Sequence, residues 1–185
     1  MVTETEMTSD MASNVTRYTG SRDPRFVTIR RGGLLDDASH RLLATWAADC
    51  ADHVLGLFAA QRPGDDRPAA ALATARRWAV GEVSMTTARE AAFAAHAAAR
   101  DTSGAAQHAA RAAGHAVATA HMADHELGAA YFALLAAQAS APGNPDTLAE
   151  ERRWQREKLP LAVTELVLDD MRQRAKKFKG AFEPL

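Results

Sequence analysis

Apolar side chains recur every three or four residues along most of the chain after residue 36, a spacing that predicts amphipathic helices. One such stripe consists of Leu43, Trp46, Cys50, Val54 and Leu57. Turn-forming residues interrupt the pattern at RPGDD, at Ser103 and Gly104, and at APGNPD. We therefore predict helices over 36–61, 68–80, from 84 or 87 to the break at 103–104, and over 105–123, 127–140, 147–158 and 161–177.

Alanine dominates residues 88–139. It has the highest helix propensity and a small side chain, so this stretch predicts helices whose backbones approach closely. Short connections between successive helices favour antiparallel neighbours. The sequence thus predicts an all-α fold, a single compact bundle of about six to seven antiparallel helices. Ahead of the bundle, RFVTIRRGGLL is predicted to be a short extended piece.

A length of 185 residues suits one domain, which we place at 23–178. Residues 1–22 are rich in acidic and hydroxyl side chains and are predicted to form a disordered arm. Residues 179–185 are predicted to be a C-terminal tail. Two large rings, Trp46 and Trp78, stand beside small alanines on predicted core faces, where each would fill space.

The charges are balanced, with 22 Lys and Arg against 23 Asp and Glu, so no global field would draw the chain to nucleic acid or an anionic membrane. The N-terminus lacks the basic start and apolar core of a signal peptide, and the alanine stretch is too often interrupted to span a bilayer. Cys50 is the only cysteine, which fits a reducing compartment. We expect a cytoplasmic protein with no nucleic-acid or membrane partner.

Asp49 and His53 lie one helical turn apart at the edge of the first apolar stripe. At this spacing the carboxylate can hydrogen-bond the imidazole and orient it. The two side chains would then line a pocket, or form a surface pair or a buried hydrogen bond that fixes helix packing. Cys50 beside them is either a nucleophile or, as is more usual for a cysteine within an apolar stripe, a small buried hydrophobe.

Two later helices carry polar faces among the alanines. By helical spacing, one face holds Arg89, Phe93, His96 and Arg100, and the other holds His108, Arg111, His115, Thr119 and Met122. If the faces meet, their arginines and histidines could bind a carboxylate or phosphate, or form a core network that locks helix orientation. The full candidate set for a pocket or core network is Trp46, Asp49, Cys50, His53, Arg77, Arg89, His96, Arg111 and His115.

His121 and His125 have the spacing of two ligands on one helix, a weak signal for a transition metal. The Glu-x-x-His pairs of di-iron bundles do not occur, nor do HExxH, GxSxG, GxGxxG or a P-loop. The sequence therefore predicts no cofactor, no metal and no catalytic residues.

Four segments of the chain resemble the Imm-5-like proteins, an all-α family frequent in actinobacteria: DPRFVTIRRGGLL, HRLLATWAADCADHVL, ARRWAVGEVSMTTAREAAFAAHAAAR and AAGHAVATAHMADHELGAAYFAL. The resemblance spans about 23–171 and is most specific around Trp46 to His53 and around Gly114 to His121. It implies an immunity protein, which binds and neutralises a protein toxin without catalysis. Nuclease inhibitors are often strongly acidic, and the near-neutral charge of this chain argues against a nuclease as the partner.

The alternative function is that of a small-molecule- or metal-binding protein or enzyme, with a His/Arg/Asp pocket between helices. The two hypotheses differ in the surroundings they require for His53, His96 and His115. A pocket needs these rings to open onto a cavity, whereas a packing network encloses them in the core.

Overall fold

The computed structural model describes residues 19–183. Within them the fold is all-α, as predicted, with eight α-helices. The helices are α1 (Asp37–His53), α2 (Leu55–Gln61), α3 (Arg67–Ala79), α4 (Met85–Arg100), α5 (Gly104–Ala118), α6 (Glu126–Ser140), α7 (Asp146–Glu157) and α8 (Leu161–Gln173). None of these helices combines the length and the hydrophobicity that a bilayer crossing needs.

Local sequence signals account for several helix starts. The Asp36 carboxylate accepts a hydrogen bond from the Ser39 amide at 2.8 Å, and the Ser84 hydroxyl accepts one from the Thr87 amide at 3.1 Å. Both side chains thereby satisfy amides that a helix start leaves without a backbone acceptor. The prediction of one unbroken first helix over 36–61 was wrong. At Val54 the backbone leaves helical geometry, with φ −109° and ψ 0°, and this separates α1 from α2.

Helix α5 lies at the centre and packs against α1, α2, α3, α4 and α6. Its inward positions are almost all small, so the neighbouring backbones can approach closely. Larger side chains fill the space between the remaining helices. The fully buried ones include Leu43, Trp46, Phe58, Leu72, Leu127 and Leu134.

The segment before α1 is not the extended piece that we predicted. It forms two short 3-10 helices, Pro24–Phe26 and Ile29–Arg31, with an isolated β-bridge between Thr28 and Leu35. Gly33 allows the segment to fold back, because a Cβ there would lie 2.1 Å from the Val27 carbonyl oxygen. The loop is anchored by the buried side chains of Phe26, Val27 and Leu35.

The C-terminal part closes the bundle. Helix α8 ends at Gln173, before the predicted limit of 177, and turns carry the chain onward. Phe178 and Phe182 are both buried, so residues beyond 178 contribute to the core. The predicted disordered arm lies outside the described residues up to residue 18. At its end, Arg22 donates a hydrogen bond to Asp124 at 2.9 Å.

Candidate functional site

The predicted pairing of Asp49 with His53 was wrong, because both side chains have other partners. Asp49 accepts a hydrogen bond from Arg76 of α3 at 3.1 Å. His53 Nδ1 lies 2.8 Å from Glu151 Oε2 on α7. The edge of α1 therefore serves two different helix contacts, one with α3 and one with α7.

His53 is held by Trp154 and Glu151, both on α7. Its ring stacks on Trp154 with the ring centres 3.8 Å apart and an angle of 4° between the planes. The Glu151 side chain is 4% exposed, and its second oxygen accepts a hydrogen bond from Gln155 Nε2 at 2.8 Å. His53 itself is 41% exposed and lines a cavity of about 400 Å³ together with Glu151 and Trp154. A buried carboxylate thus orients a half-exposed imidazole that opens onto a cavity.

The other two candidates on α1 are buried. Trp46 is fully enclosed, and its Nε1 donates a hydrogen bond to the Gln155 carbonyl at 2.9 Å, which ties α1 to α7. Burial raises the pKa of the Cys50 thiol well above its usual value, and the charges of Glu151 and Asp49 raise it further. Because the nucleophile would be the thiolate, Cys50 acts as a small buried hydrophobe.

The polar faces of α4 and α5 meet, as the core-network and pocket hypotheses both required. The rings of His96 and His115 contact each other edge to face, with centroids 5.2 Å apart. Each ring lies against a glycine. A Cβ at Gly114 would come within 2.6 Å of His96 Cε1, and a Cβ at Gly128 within 2.6 Å of His115 Nδ1. Each imidazole thus occupies the space that any larger residue than glycine would need.

The contact continues into a row of rings that we call the histidine cluster, made of His96, His115, His125 and His121. His115 Nδ1 and His125 Nδ1 are 3.1 Å apart, so one ring donates its Nδ1 proton to the other. The ring centroids of His121 and His125 are 5.3 Å apart. The aromatic face of Phe132 stacks on His115 with a centroid separation of 5.2 Å.

The histidine cluster is neutral at pH 7. Burial lowers the pKa of His115 to about 3, with added repulsion from His125 and His96. Burial is the main reason that the pKa of His125 falls to about 4, and the charge of His121 lowers it further. Burial also lowers the pKa values of His96 and His121, and neighbouring arginines lower them further. Charging these rings would cost free energy, so the cluster is a neutral hydrogen-bonding and packing element.

His121 and His125 do not share a helix. Helix α5 ends at Ala118, short of the predicted 123, so His121 lies in a turn and His125 in a 3-10 helix, Ala123–His125. Among residues 19–183, no three His, Cys, Asp or Glu side chains are arranged to hold a metal ion.

The three arginines of the candidate set have separate surroundings. Arg111 lies over the Phe132 ring at 5.5 Å, and its charge lowers the pKa of His96. Arg89 lies over Phe93 at 5.7 Å, on the exposed side of α4. Arg77 is exposed and pairs with Glu82 at 3.2 Å. Arg111 therefore joins the histidine cluster, whereas Arg77 belongs to the protein surface.

The structure also contains a buried ionic network that the sequence analysis did not predict. Glu126 is fully buried, and its Oε1 accepts a hydrogen bond from Arg174 at 3.2 Å. Arg174 also pairs with Asp170 and donates to the Asp124 carbonyl at 2.9 Å. Burial raises the pKa of Glu126 well above its usual value. The only sequence signal was a glutamate directly before the apolar run of α6.

Comparison with known proteins gives one finding, a match to a family model. No curated protein matches the chain, and no solved structure does. A family model described as "Imm-5 like putative immunity protein" matches residues 33–162, which include the whole of α1 to α7. The match covers more than half of the chain and contains His53, the histidine cluster and their supporting glycines. The chain therefore belongs to the Imm-5-like family.

Proposed function

We propose that this protein binds and neutralises a cognate protein toxin without catalysis. The observation that carries the proposal is the family match over 33–162. An inhibitor of this kind needs a rigid scaffold, because a preformed surface loses little conformational freedom when it binds. The close alanine packing of α4, α5 and α6 provides such rigidity.

The state of the candidate side chains supports inhibition by binding. Cys50 is enclosed with its thiol protonated, and His96 and His115 are neutral rings packed on glycine backbones. These groups are engaged in holding helices together. A catalytic function would need these side chains as reactive groups, whereas here they serve to pack the helices.

The test is neutralisation of a candidate toxin, chosen from the proteins encoded beside the gene of this protein. Co-expression should restore growth of cells that make the toxin, and the two proteins should co-purify in a fixed ratio. In vitro, protection should rise with added protein and be complete at stoichiometric amounts. Protection by far less than one equivalent would show turnover, and unchanged toxin activity in excess protein would refute binding. Either result would overturn the proposal.

A second function is favoured by the surroundings of His53. The charged residues that line the cavity beside it are three glutamates, Glu150, Glu151 and Glu157, and one arginine, Arg153, and the Trp154 ring lies among them. Because the carboxylates outnumber the arginine, this lining suits a small organic cation. The half-exposed imidazole could then exchange a proton with the bound molecule.

Benzamidine is a suitable probe for this second function. If the cavity is a ligand site, benzamidine should raise the melting temperature of the wild type and leave that of Trp154→Ala unchanged. Arg77→Gln, on a separate surface, serves as the matched control and should respond as the wild type does. A benzamidine shift that persists in Trp154→Ala, or no shift at all, would remove this candidate.

A further inference from the structure

A second cavity, of about 300 Å³, lies between the N-terminal 3-10 segments and the bundle. We call it the arginine cavity. Its described lining includes no carboxylate, although it contains three arginines and two histidines. The residues that matter for its chemistry are Arg22, Arg30, Arg31, His40, Trp78 and His121.

The positive charges around this cavity exceed the negative ones. Arg22 pairs with Asp124 at 2.9 Å, and Arg30 pairs with Asp37 at 3.2 Å on the exposed surface. Arg31 makes no ion pair with any carboxylate in residues 19–183. An adjoining cavity of about 160 Å³ shares Arg30, His40 and Trp78, and its further charged residues are Arg41 and Asp37, the partner of Arg30.

The two histidines of the lining add no charge but present ring nitrogens. Burial lowers the pKa values of both His40 and His121, so both are neutral at pH 7. His40 is fixed in place, since its Nε2 donates to the Thr119 carbonyl at 2.7 Å. The buried Nδ1 of His121 has no hydrogen-bond partner among the described residues. His121 Nδ1, beside the cavity, therefore has its hydrogen-bonding capacity unused among the described residues.

The remaining wall is apolar. Trp78, predicted to be a core residue, is half-buried because one side of it faces this space, and it meets the His40 ring edge to face at 4.8 Å. Met85 lines the cavity and is 40% exposed, and the buried Phe26 and Val27 complete the apolar side. Arginines at the rim of an aromatic wall are suited to an anionic group attached to an apolar body.

We propose that the arginine cavity binds a carboxylate or phosphate group carried on a small apolar or aromatic body. Arg31 and Arg30 would contact the anionic group, and the Trp78 face would contact the body. The site is separate from the His53 cavity, and His121 is the one member of the histidine cluster in its described lining. The anionic group belongs either to a free metabolite or to an acidic side chain of a bound protein.

The test uses the purified full chain and three probes of similar size. Benzoate and phenyl phosphate carry the anionic group, and benzamide is the neutral counterpart of benzoate. Calorimetry should show one-to-one binding of both anions with dissociation constants of about 1 mM or tighter, and benzamide should bind at least about tenfold more weakly. Binding should also change the fluorescence of the wild type and leave that of Trp78→Phe unchanged.

Two surface variants make a matched pair, since Arg31 and Arg77 are both exposed and their replacement leaves the core intact. Arg31→Gln should weaken benzoate binding by about tenfold, as expected for loss of a charge-assisted hydrogen bond, and Arg77→Gln should leave it unchanged. The proposal is overturned if benzamide binds as well as benzoate, if neither anion binds, or if both variants weaken binding equally.

Competition identifies the source of the anionic group. Benzoate that displaces a co-purified toxin from the wild type shows that the natural group is an acidic side chain of the toxin. Benzoate that binds while the complex persists shows that it belongs to a free metabolite. Both outcomes support the site, and the calorimetry stands whether or not the protein neutralises a toxin.

Discussion

His115 and His53 both lie on helices of the same bundle, but their neighbours give them different properties. His115 lies between α4, α5 and α6, against the Gly128 backbone, and the pKa of its ring is lowered to about 3. His53 lies between α1 and α7, 2.8 Å from the Glu151 carboxylate, and opens onto a cavity. The first ring functions as a packing unit and the second as a polar group with a partner.

The difference teaches that residue type and helical spacing do not determine what a histidine does. A glycine opposite the ring allows dense apolar contact, which excludes water and favours the neutral form. A buried carboxylate opposite the ring provides an acceptor and holds one orientation. Four perturbations test whether the two regions respond as differently as their surroundings imply.

The largest effect is expected where α1 meets α7, directly beneath the His53 pair. Trp46→Ala should lower the free energy of unfolding by about 3 to 5 kcal/mol, because it removes a fully buried ring and its hydrogen bond to Gln155. Trp154→Ala, which removes a half-buried ring stacked on His53, is the control and should cost much less. Urea unfolding measures both. Equal losses would mean that the half-buried Trp154 ring stabilises the fold as much as the buried Trp46 ring does.

The glycine beneath His115 provides the next largest effect. Gly128→Ala should destabilise the protein by about 1 to 3 kcal/mol, because the new Cβ would lie 2.6 Å from His115 Nδ1. The control is Gly56→Ala in α2, where a Cβ meets nothing within 4 Å and should stabilise the helix by up to about 1 kcal/mol. Chemical denaturation of both variants gives the comparison.

A double variant shows whether the ring causes this loss. In the Gly128→Ala background, replacing His115 with alanine removes the crowded ring, so the second change should cost much less than it does in the wild type. Strictly additive losses from the two changes would disprove direct contact between His115 and Gly128. The sealed packing of the histidine cluster would then be wrong.

Gly114 and Gly128, the glycines that contact His96 and His115, show what the sequence could and could not predict. The helix starts near Asp36 and Ser84 followed from local signals. Spacing along a helix also predicted which side chains share a face, but it left open whether the faces of His96 and His115 meet. Glycine inside a helix costs about 1 kcal/mol relative to alanine, so Gly114 and Gly128 were signals of close packing. Such glycines indicate crowding without identifying the neighbouring side chain.

The surroundings of His53 could not be predicted from local spacing. Its partner Glu151 is 98 residues away in the chain, so no pattern within α1 identifies it. The same spacing rule made Asp49 the expected partner, but the fold brings Arg76 to that carboxylate. The helix break at Val54 could not be predicted either, because the apolar side chain of Val54 continues the stripe of α1. Helix faces were thus predictable from the sequence, and the pairing of distant helices was not.

The pH dependence of stability should separate the two regions further. His115 has an ordinary pKa of 6.5 when unfolded and about 3 when folded, so the unfolded state binds more protons between these values. The contribution of His115 to stability is therefore fully present above pH 6.5 and is lost as the pH falls toward 3. From pH 7 to pH 5 the wild type should lose about 1 to 2 kcal/mol through His115 alone. Urea unfolding at both pH values measures this loss.

The difference between the wild type and His115→Gln isolates this contribution. Glu126 acts in the opposite direction, because its raised pKa makes its contribution fall as the pH rises, but it is present in both proteins and cancels. His115→Gln should therefore lose less stability than the wild type on acidification. If the two proteins lose the same amount, the His115 ring is not held neutral by its surroundings.

The smallest effect should come from His53. Its side chain is 41% exposed, so water can replace much of its hydrogen bond to Glu151, and salt screens any charge on the pair. His53→Ala should cost about 0.5 to 1 kcal/mol, and Glu151 keeps its hydrogen bond from Gln155 in that variant. His115→Ala, by contrast, leaves a buried His125 nitrogen without its partner and should cost about 1 to 3 kcal/mol.

Salt concentration provides the decisive measurement for this last prediction. A double-mutant cycle between His53→Ala and Glu151→Gln, repeated in 0.05 M and 1 M sodium chloride, gives the coupling energy of the pair. The coupling should be small and should shrink in high salt if the pair is screened, whereas the cost of His115→Ala should change little, since His115 is neutral. A coupling that is large and insensitive to salt would place His53 in the same class as His115, and the contrast between the two regions would fail.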